Sequence, residues 1–298
     1  MATPQATFDA AELEELRIPF GTRLLQLIRK QPLGAAGAFV VIIMGLAAIF
    51  AGLISPYNPV ANDLASMLEP PDASHWMGTD EFGRDILTRV MYGARTALTI
   101  GLTAAFLGAT GGLILGVASA YFGGLFDLVS QRIVDVFMAF PLIIMALAVV
   151  ATLGPGTQNV IIAITIPFIP QCARVVRSSA LAIREIPYVD AARALGFSDA
   201  RIILRHMVPN VMAPYLIMLS TFVGQAILLE AVLSYLGMGV QDPTPAWGLM
   251  LKGGAEEFLE SAPWVSIFPG LAISFAVFGF NLFGDGMRDV LDPKLRRD

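Results

Sequence analysis

Residues 174–206 read RVVRSSALAIREIPYVDAARALGFSDARIILRH, a polar stretch set between two apolar runs of membrane length. Six arginines stand against Glu185, Asp190 and Asp199, a net charge of +3. Pro187 ends one helix and opens the next, because it lacks an amide donor and suits a first helical position. Tyr188 to Leu195 is predicted as a short helix, Gly196 suits a left-handed C-terminal cap, and Ser198 can cap the helix that follows. Ala191, Ala192 and Ala194 give the short helix little bulk. It can pack as a connector on its own flanking spans or enter a cleft of another protein; spacing leaves both readings open. A glycine turn between helices also marks DNA-binding helix pairs, but the small net charge and the tether to a bilayer at both ends exclude that reading.

Outward from this loop the chain turns apolar. Of its 298 residues 56% are hydrophobic and 14% charged, with a mean hydropathy of +0.69. A water-soluble domain carries about a quarter charged residues, so the solvent implied is a bilayer. A helix crosses the roughly 30 Å hydrocarbon core with about 20 apolar residues. Uncharged windows of that kind fall at 35–54, 97–120, 136–153, 158–173, 208–229 and 264–284, which predicts an all-α integral membrane protein with six transmembrane helices. The third and fourth are divided only by LGPGTQN at 153–159, and the fourth holds Pro167 and Pro170. These runs are continuous rather than alternating, unlike barrel strands.

With the N-terminus inside, every Lys and Arg of the 19 except Arg84, Arg89, Arg95 and Lys252 falls on the inner side, which predicts two cytoplasmic termini. The division expected is a cytoplasmic tail at 1–34, a first transmembrane helix at 35–54, an outer loop with an interfacial helix at 55–95, a five-helix core at 96–284 carrying the inner loop 174–209, and a cytoplasmic tail at 285–298. The first apolar run is preceded by DAAELEELR and is too long for a signal peptide core, so it reads as a retained helix.

The outer stretch LEPPDASHWMGTDEFGRDILTRVMYGAR has helical spacing in its second half, where Glu81, Arg84, Asp85 and Arg89 are placed for i, i+4 pairing. It reads as an interfacial helix leading into the second span, with Trp76 suited to the headgroup belt. A second outer stretch, 237–263, contains turn-forming Asp-Pro, Thr-Pro and Gly-Gly steps, an acidic solvated face at Glu256, Glu257 and Glu260, and Trp247 and Trp264 as interfacial anchors.

Several chemistries are excluded. One cysteine, Cys172, makes no internal disulfide, and two histidines give no zinc spacing. A net charge of −5 and a pI near 5.1 speak against nucleic-acid binding. No hydrolase signature is present, and the three lysines are followed by Gln31, Gly253 and Leu295, so no Walker A loop exists. The chain reads as no enzyme, with no cofactor of its own. Two acids sit in the membrane zone. Asp135, beside Arg132, reads as the structural partner of an arginine, whereas Glu230, at the outer end of the fifth span, reads as a pathway acid or a structural one. Without a relay of carboxylates an ion-coupled carrier is hard to build.

Together these features resemble the permease subunits of ABC importers. The inner loop resembles their coupling signature: Asp190-Ala191-Ala192 stands for EAA, Gly196 is the glycine, and His206-Met207-Val208-Pro209 closes the pattern. Three positions depart, Asp190 for Glu, His206 for Ile and Val208 for Leu; the aspartate keeps the charge. GTDEFGRDILTRVMYGAR, with Gly78, Thr79, Asp80, Gly83, Arg84 and Asp85, is similar to the dipeptide, oligopeptide and nickel permeases, as are LLEAVLSYLGMGVQDPTPAWG around Glu230 and FNLFGDGMRDVLDPK. The single helix at 35–54 ahead of a long outer loop resembles the shorter, C-type permease. The resemblance implies a type I permease fold in the bacterial inner membrane, and partners: a second permease, an external substrate-binding protein and two cytoplasmic ATPases that bind ATP and Mg. It implies ATP-driven uptake of dipeptides or oligopeptides, with nickel, glutathione or another small solute as alternatives. Asp190, Ala191, Ala192, Gly196 and Pro209 would couple to the ATPases.

Overall fold

The computed structural model describes residues 28–291. Its elements are α1 (Pro32–Ile54), α2 (Ile86–Phe122), α3 (Gly124–Met138), α4 (Leu142–Leu153), α5 (Thr157–Arg184), α6 (Pro187–Ala194), α7 (Asp199–Ile202), α8 (Met212–Tyr235), α9 (Trp247–Glu257) and α10 (Trp264–Leu291). Among the described residues, five helices are long and apolar enough to cross a membrane, or six if the bent pair α3–α4 is one span. The tails expected at the two ends fall largely outside the described residues.

The core is built on α2. Gly108, Gly112 and Gly116 recur at helical spacing along its face against α5. A Cβ on Gly108 would lie 2.5 Å from the Phe168 Cβ, and one on Gly116 would lie 2.7 Å from the Ala173 carbonyl oxygen. These glycines let two backbones approach as small residues do in membrane bundles, where packing rather than water drives association. Phe168 then stacks on Phe222 of α8, with centroids 4.1 Å apart. The outer helices α1 and α10 pack on each other with equal closeness: a Cβ on Gly279 would lie 2.6 Å from Val40.

Several boundaries depart from the hydropathy windows. The interfacial helix expected before the second span is instead the first part of that span: α2 runs unbroken from Ile86, its N-terminus capped by Asp85. The third window, 136–153, is not one helix, since α3 and α4 meet at 90° around Pro141. Hydropathy does not register such a bend, whereas the missing proline amide does. By contrast α5 passes Pro167 and Pro170 without a break and continues to Arg184. The first part of the inner loop expected from Arg174 is therefore still α5.

Candidate functional site

The helix expected in the loop after α5 is α6. Pro187 occupies its first turn and Asp190 follows in the same turn, where a carboxylate favours the positive end of the helix dipole. Its C-terminus closes as a Schellman cap: Phe197 N–H donates to the Ala192 carbonyl at 3.1 Å and Gly196 N–H to the Arg193 carbonyl at 2.9 Å. Gly196 has a φ of +76°, the left-handed conformation that such a cap needs and that glycine adopts without a Cβ penalty. Val189 and Ala192 are buried against the chain's own bundle, whereas Asp190, Ala191, Ala194 and Leu195 are exposed. The alanine-rich helix thus divides into an inward anchor and an outward face of low bulk. Ser198 holds the cap position of α7 but its side chain makes no cap hydrogen bond, contrary to expectation.

Two polar groups fix the base of α6. Pro209 removes an amide donor, and residues 203–207 widen into a π turn before a 3-10 turn at Val208–Val211. Both Tyr188 Oη, at 3.1 Å, and Asn210 Nδ2, at 2.7 Å, donate to the His206 carbonyl, and Asn210 Nδ2 also reaches Tyr188 Oη at 3.1 Å. The C-terminal end of α2 is latched to the same region. Arg184 Nη1 donates to the Ala120 carbonyl at 2.9 Å, Tyr121 Oη donates to Asp199 at 2.5 Å, and the Arg193 guanidinium lies 5.1 Å from the Tyr121 ring centroid. Tyr188 and Asn210 were missed in the sequence; the signal available for them was Pro209, which orphans carbonyls in the turn before it.

The segment before α2 brings Gly78, Thr79, Asp80, Gly83, Arg84 and Asp85 into one tight loop. Asp80 is its hub. One carboxylate oxygen accepts from the Phe82 and Arg84 amides at 2.9 Å each, and the other accepts from Arg84 Nε at 2.7 Å and lies 3.5 Å from Arg89 Nε. Arg84 Nη1 also donates to Asp242 at 3.0 Å, and Arg89 Nη1 donates to the Pro59 carbonyl at 2.8 Å. Arg89 is only 1% exposed, so the i, i+4 pairing expected with Asp85 gives way to pairing with Asp80. Asp85 instead caps α2 through the Thr88 amide at 2.7 Å and holds His75 Nδ1 at 3.0 Å. Thr79 donates to the Ser66 carbonyl at 2.5 Å, and Gly78 and Gly83 have φ of +74° and +71°. A cavity of 330 Å³ opens beside the cluster, lined by Asp80, Glu81, Arg84, Arg89, Asp242 and Lys252 among others. Partial burial, with Asp80 adjoining, raises the Glu81 carboxyl above its ordinary value.

Two other expectations meet the structure here. Trp247 is not an interfacial anchor: it is buried and its Nε1 donates to the Val90 carbonyl at 2.9 Å. Trp264 Nε1 likewise donates to the Thr79 carbonyl, at 3.3 Å. Trp76 is exposed. Glu230 lies inside α8 at 1% exposure; its Oε1 accepts from Ser234 Oγ at 2.7 Å, and Ser234 Oγ in turn accepts the Val240 amide at 3.1 Å. This chain of bonds pins the turn after α8. Asp135 pairs with Arg174 of α5, and Arg132 lies 3.8 Å away.

The family model described as binding-protein-dependent transport system inner membrane component matches residues 112–297, and that of the N-terminal TM domain of oligopeptide transport permease C matches residues 22–71. The chain is 40% identical to the dipeptide transport system permease protein DppC of Alkalihalophilus pseudofirmus, over 99% of this chain and 97% of that one. It is 42% identical to the glutathione transport system permease protein GsiD of Escherichia coli, over 98% and 97%. The fold is similar to a chain of the inward-facing MetNI methionine ABC transporter, with a TM-score of 0.55, 19% identity, and coverage of 68% of this chain and 96% of that one. A multi-pass helical bundle with a short capped helix between α5 and α8, matched over nearly its whole length, identifies the chain as a membrane permease subunit of the binding-protein-dependent transport family.

Proposed function

We propose that the chain, with a second permease, forms the solute path of an ATP-driven importer of dipeptides and oligopeptides in a bacterial inner membrane, both termini being cytoplasmic. An external binding protein delivers the solute, and two cytoplasmic ATPases supply ATP and Mg chemistry that the chain itself lacks. The observation that carries this reading is the outward face of α6. Asp190, Ala191 and Ala194 offer a low-relief, charged-at-one-end helix to a partner, while Val189, Ala192, the Gly196 cap and the Tyr188–His206–Asn210 bonds hold the helix rigidly to the spans. A rigid lever of this kind converts closure of an ATPase pair into tilting of α5 and α8.

The peptide reading is supported by the 40% identity to a dipeptide permease. Glutathione, itself a small peptide, is the second reading, supported by the 42% identity to GsiD. The outer loop around Asp80 and the buried Glu230 are structural supports that keep the outer end of α2 and the turn after α8 in place.

Reconstitution tests this function. The chain with its second permease, ATPases and binding protein in liposomes should accumulate a labelled dipeptide only when ATP is supplied. Uptake by the chain alone, driven by an ion gradient without nucleotide, would overturn the importer reading.

A further inference from the structure

The 330 Å³ cavity beside Asp80 has two walls, and each leaves polar groups unmatched. One wall is the start of α2 with the segment before it. There Arg84 and Arg89 stand against Asp80 and Asp242, so the four charges balance. Arg89 is nevertheless incompletely bonded. Its Nη1 donates to the Pro59 carbonyl at 2.8 Å, whereas its Nε, 3.5 Å from Asp80, is buried and makes no hydrogen bond. A buried N–H without an acceptor carries the full cost of its desolvation. An acceptor brought into the cavity that Arg89 lines would relieve that cost.

The other wall is α9, held against α2 by the bond from Trp247 Nε1 to the Val90 carbonyl. Lys252 and Glu256 both line the cavity and stand one turn apart on this helix, the spacing at which opposite charges pair. Among the described residues neither forms an ion pair. Glu81 packs on the same helix, where a Cβ on Gly253 would lie 3.2 Å from its Oε1. Its one ion-pair contact among the described residues is Arg84 Nη2, at 4.0 Å. Burial raises the Glu81 carboxyl, so a further cation beside it would favour its charged form.

The cavity thus presents two unmatched donors, Arg89 Nε and Lys252, and two unmatched acids, Glu81 and Glu256. Donors alone would suit any anion, and acids alone any cation. Both sets in one cavity select a molecule that carries both charges. The volume lies at the low end of the roughly 300–1,000 Å³ of ligand pockets, which limits that molecule to a small one.

We propose that this cavity binds a short peptide as a zwitterion, with its terminal carboxylate on Arg89 and Lys252 and its terminal ammonium on Glu81 and Glu256. The choice of a peptide rests on the importer reading; a free amino acid carries the same two groups and is compared directly.

The test uses the permease pair with its ATPases in detergent, without the external binding protein. Binding is measured for alanylalanine, its C-terminal amide, its N-acetyl form and free alanine. Saturable binding of alanylalanine is expected, with affinity about tenfold lower for either blocked form, the size of one lost charge-assisted hydrogen bond. Lys252→Gln should weaken alanylalanine about tenfold and leave the amide unchanged. Glu256→Gln should weaken it likewise and leave the N-acetyl form unchanged. A fold defect would weaken every ligand alike, so these crossed patterns report contact. Absence of saturable binding, or equal affinity for free and blocked forms, would overturn the site, as would binding that neither substitution alters. Tighter binding of alanine than of alanylalanine would overturn the peptide assignment. ATP-driven uptake of alanylalanine into liposomes, with the binding protein restored, is followed in parallel. Uptake without binding in the cavity sinks the site alone, whereas binding without any ATP-driven uptake sinks the importer reading alone.

Discussion

The Tyr188 hydroxyl donates to the carbonyl of His206 at 3.1 Å, across the loop that joins α6 to the helix re-entering the membrane. Pro209 is the reason that carbonyl is free, and Asn210 completes its coordination. This contact ties the first turn of α6 to the turn that precedes α8. Removing the hydroxyl with Tyr188→Phe should cost about 0.5–1.5 kcal/mol of local stability. Uptake per ATP should fall severalfold in the reconstituted importer while the amount of protein in the membrane is unchanged. Equal transport and hydrolysis by the variant would show that the contact transmits nothing.

Gly196 is governed by its backbone and not by crowding, since nothing lies within 4 Å of a Cβ built there. Gly196→Val should cost roughly 1–2 kcal/mol for the left-handed conformation and uncouple hydrolysis from uptake. Gly196→Asn, which enters that region more readily, should restore most of the uptake. Measured uptake for the two variants in the same vesicles separates this account from a steric one, under which both would fail by size.

Asp80 holds two arginines that are themselves buried, Arg84 at 4% and Arg89 at 1% exposure. Asp80→Asn should cost on the order of 3 kcal/mol because it removes the buried carboxylate that both arginines share and leaves them only the half-exposed Asp242. Thermal unfolding of the detergent-solubilised complex should show a marked loss, and a midpoint within a degree or two of the unsubstituted protein would contradict the hub role.

Glu81 offers a pH signature. Its carboxyl is raised by burial, then by Asp80, so the folded form holds its proton more tightly than the unfolded chain does. Its contribution to stability is therefore fully present below the ordinary carboxylate value of 4.5 and is lost as pH rises through the higher folded value. Glu81→Gln should flatten the decline in unfolding temperature across that mildly acidic window. Parallel curves for the two proteins would contradict the assignment.

Local chemistry was legible in the sequence wherever a single residue dictates it. Pro187 opens α6, Gly196 closes it, and uncharged runs locate the membrane helices. What escaped depends on partners far along the chain or on geometry that composition does not encode. Arg84 finds Asp242 across 158 positions, so i, i+4 spacing misassigned the outer charges. Trp247 is drawn inward by the Val90 carbonyl, whereas composition alone places tryptophan at the headgroups. The third span looked whole because hydropathy averages over Pro141 and the 90° bend.

In the proposed importer, α6 couples the spans to an ATPase through its exposed face. Ala191 is exposed, and leucine is nearly as good a helix former as alanine, so Ala191→Leu leaves the fold intact and adds bulk only where a partner would sit. The decisive measurement is the number of solute molecules taken up per ATP hydrolysed by the reconstituted importer carrying that change. A fall of about tenfold is expected, equivalent to roughly 1.4 kcal/mol of lost coupling, with unaltered unfolding temperature; an unchanged ratio would contradict coupling through α6.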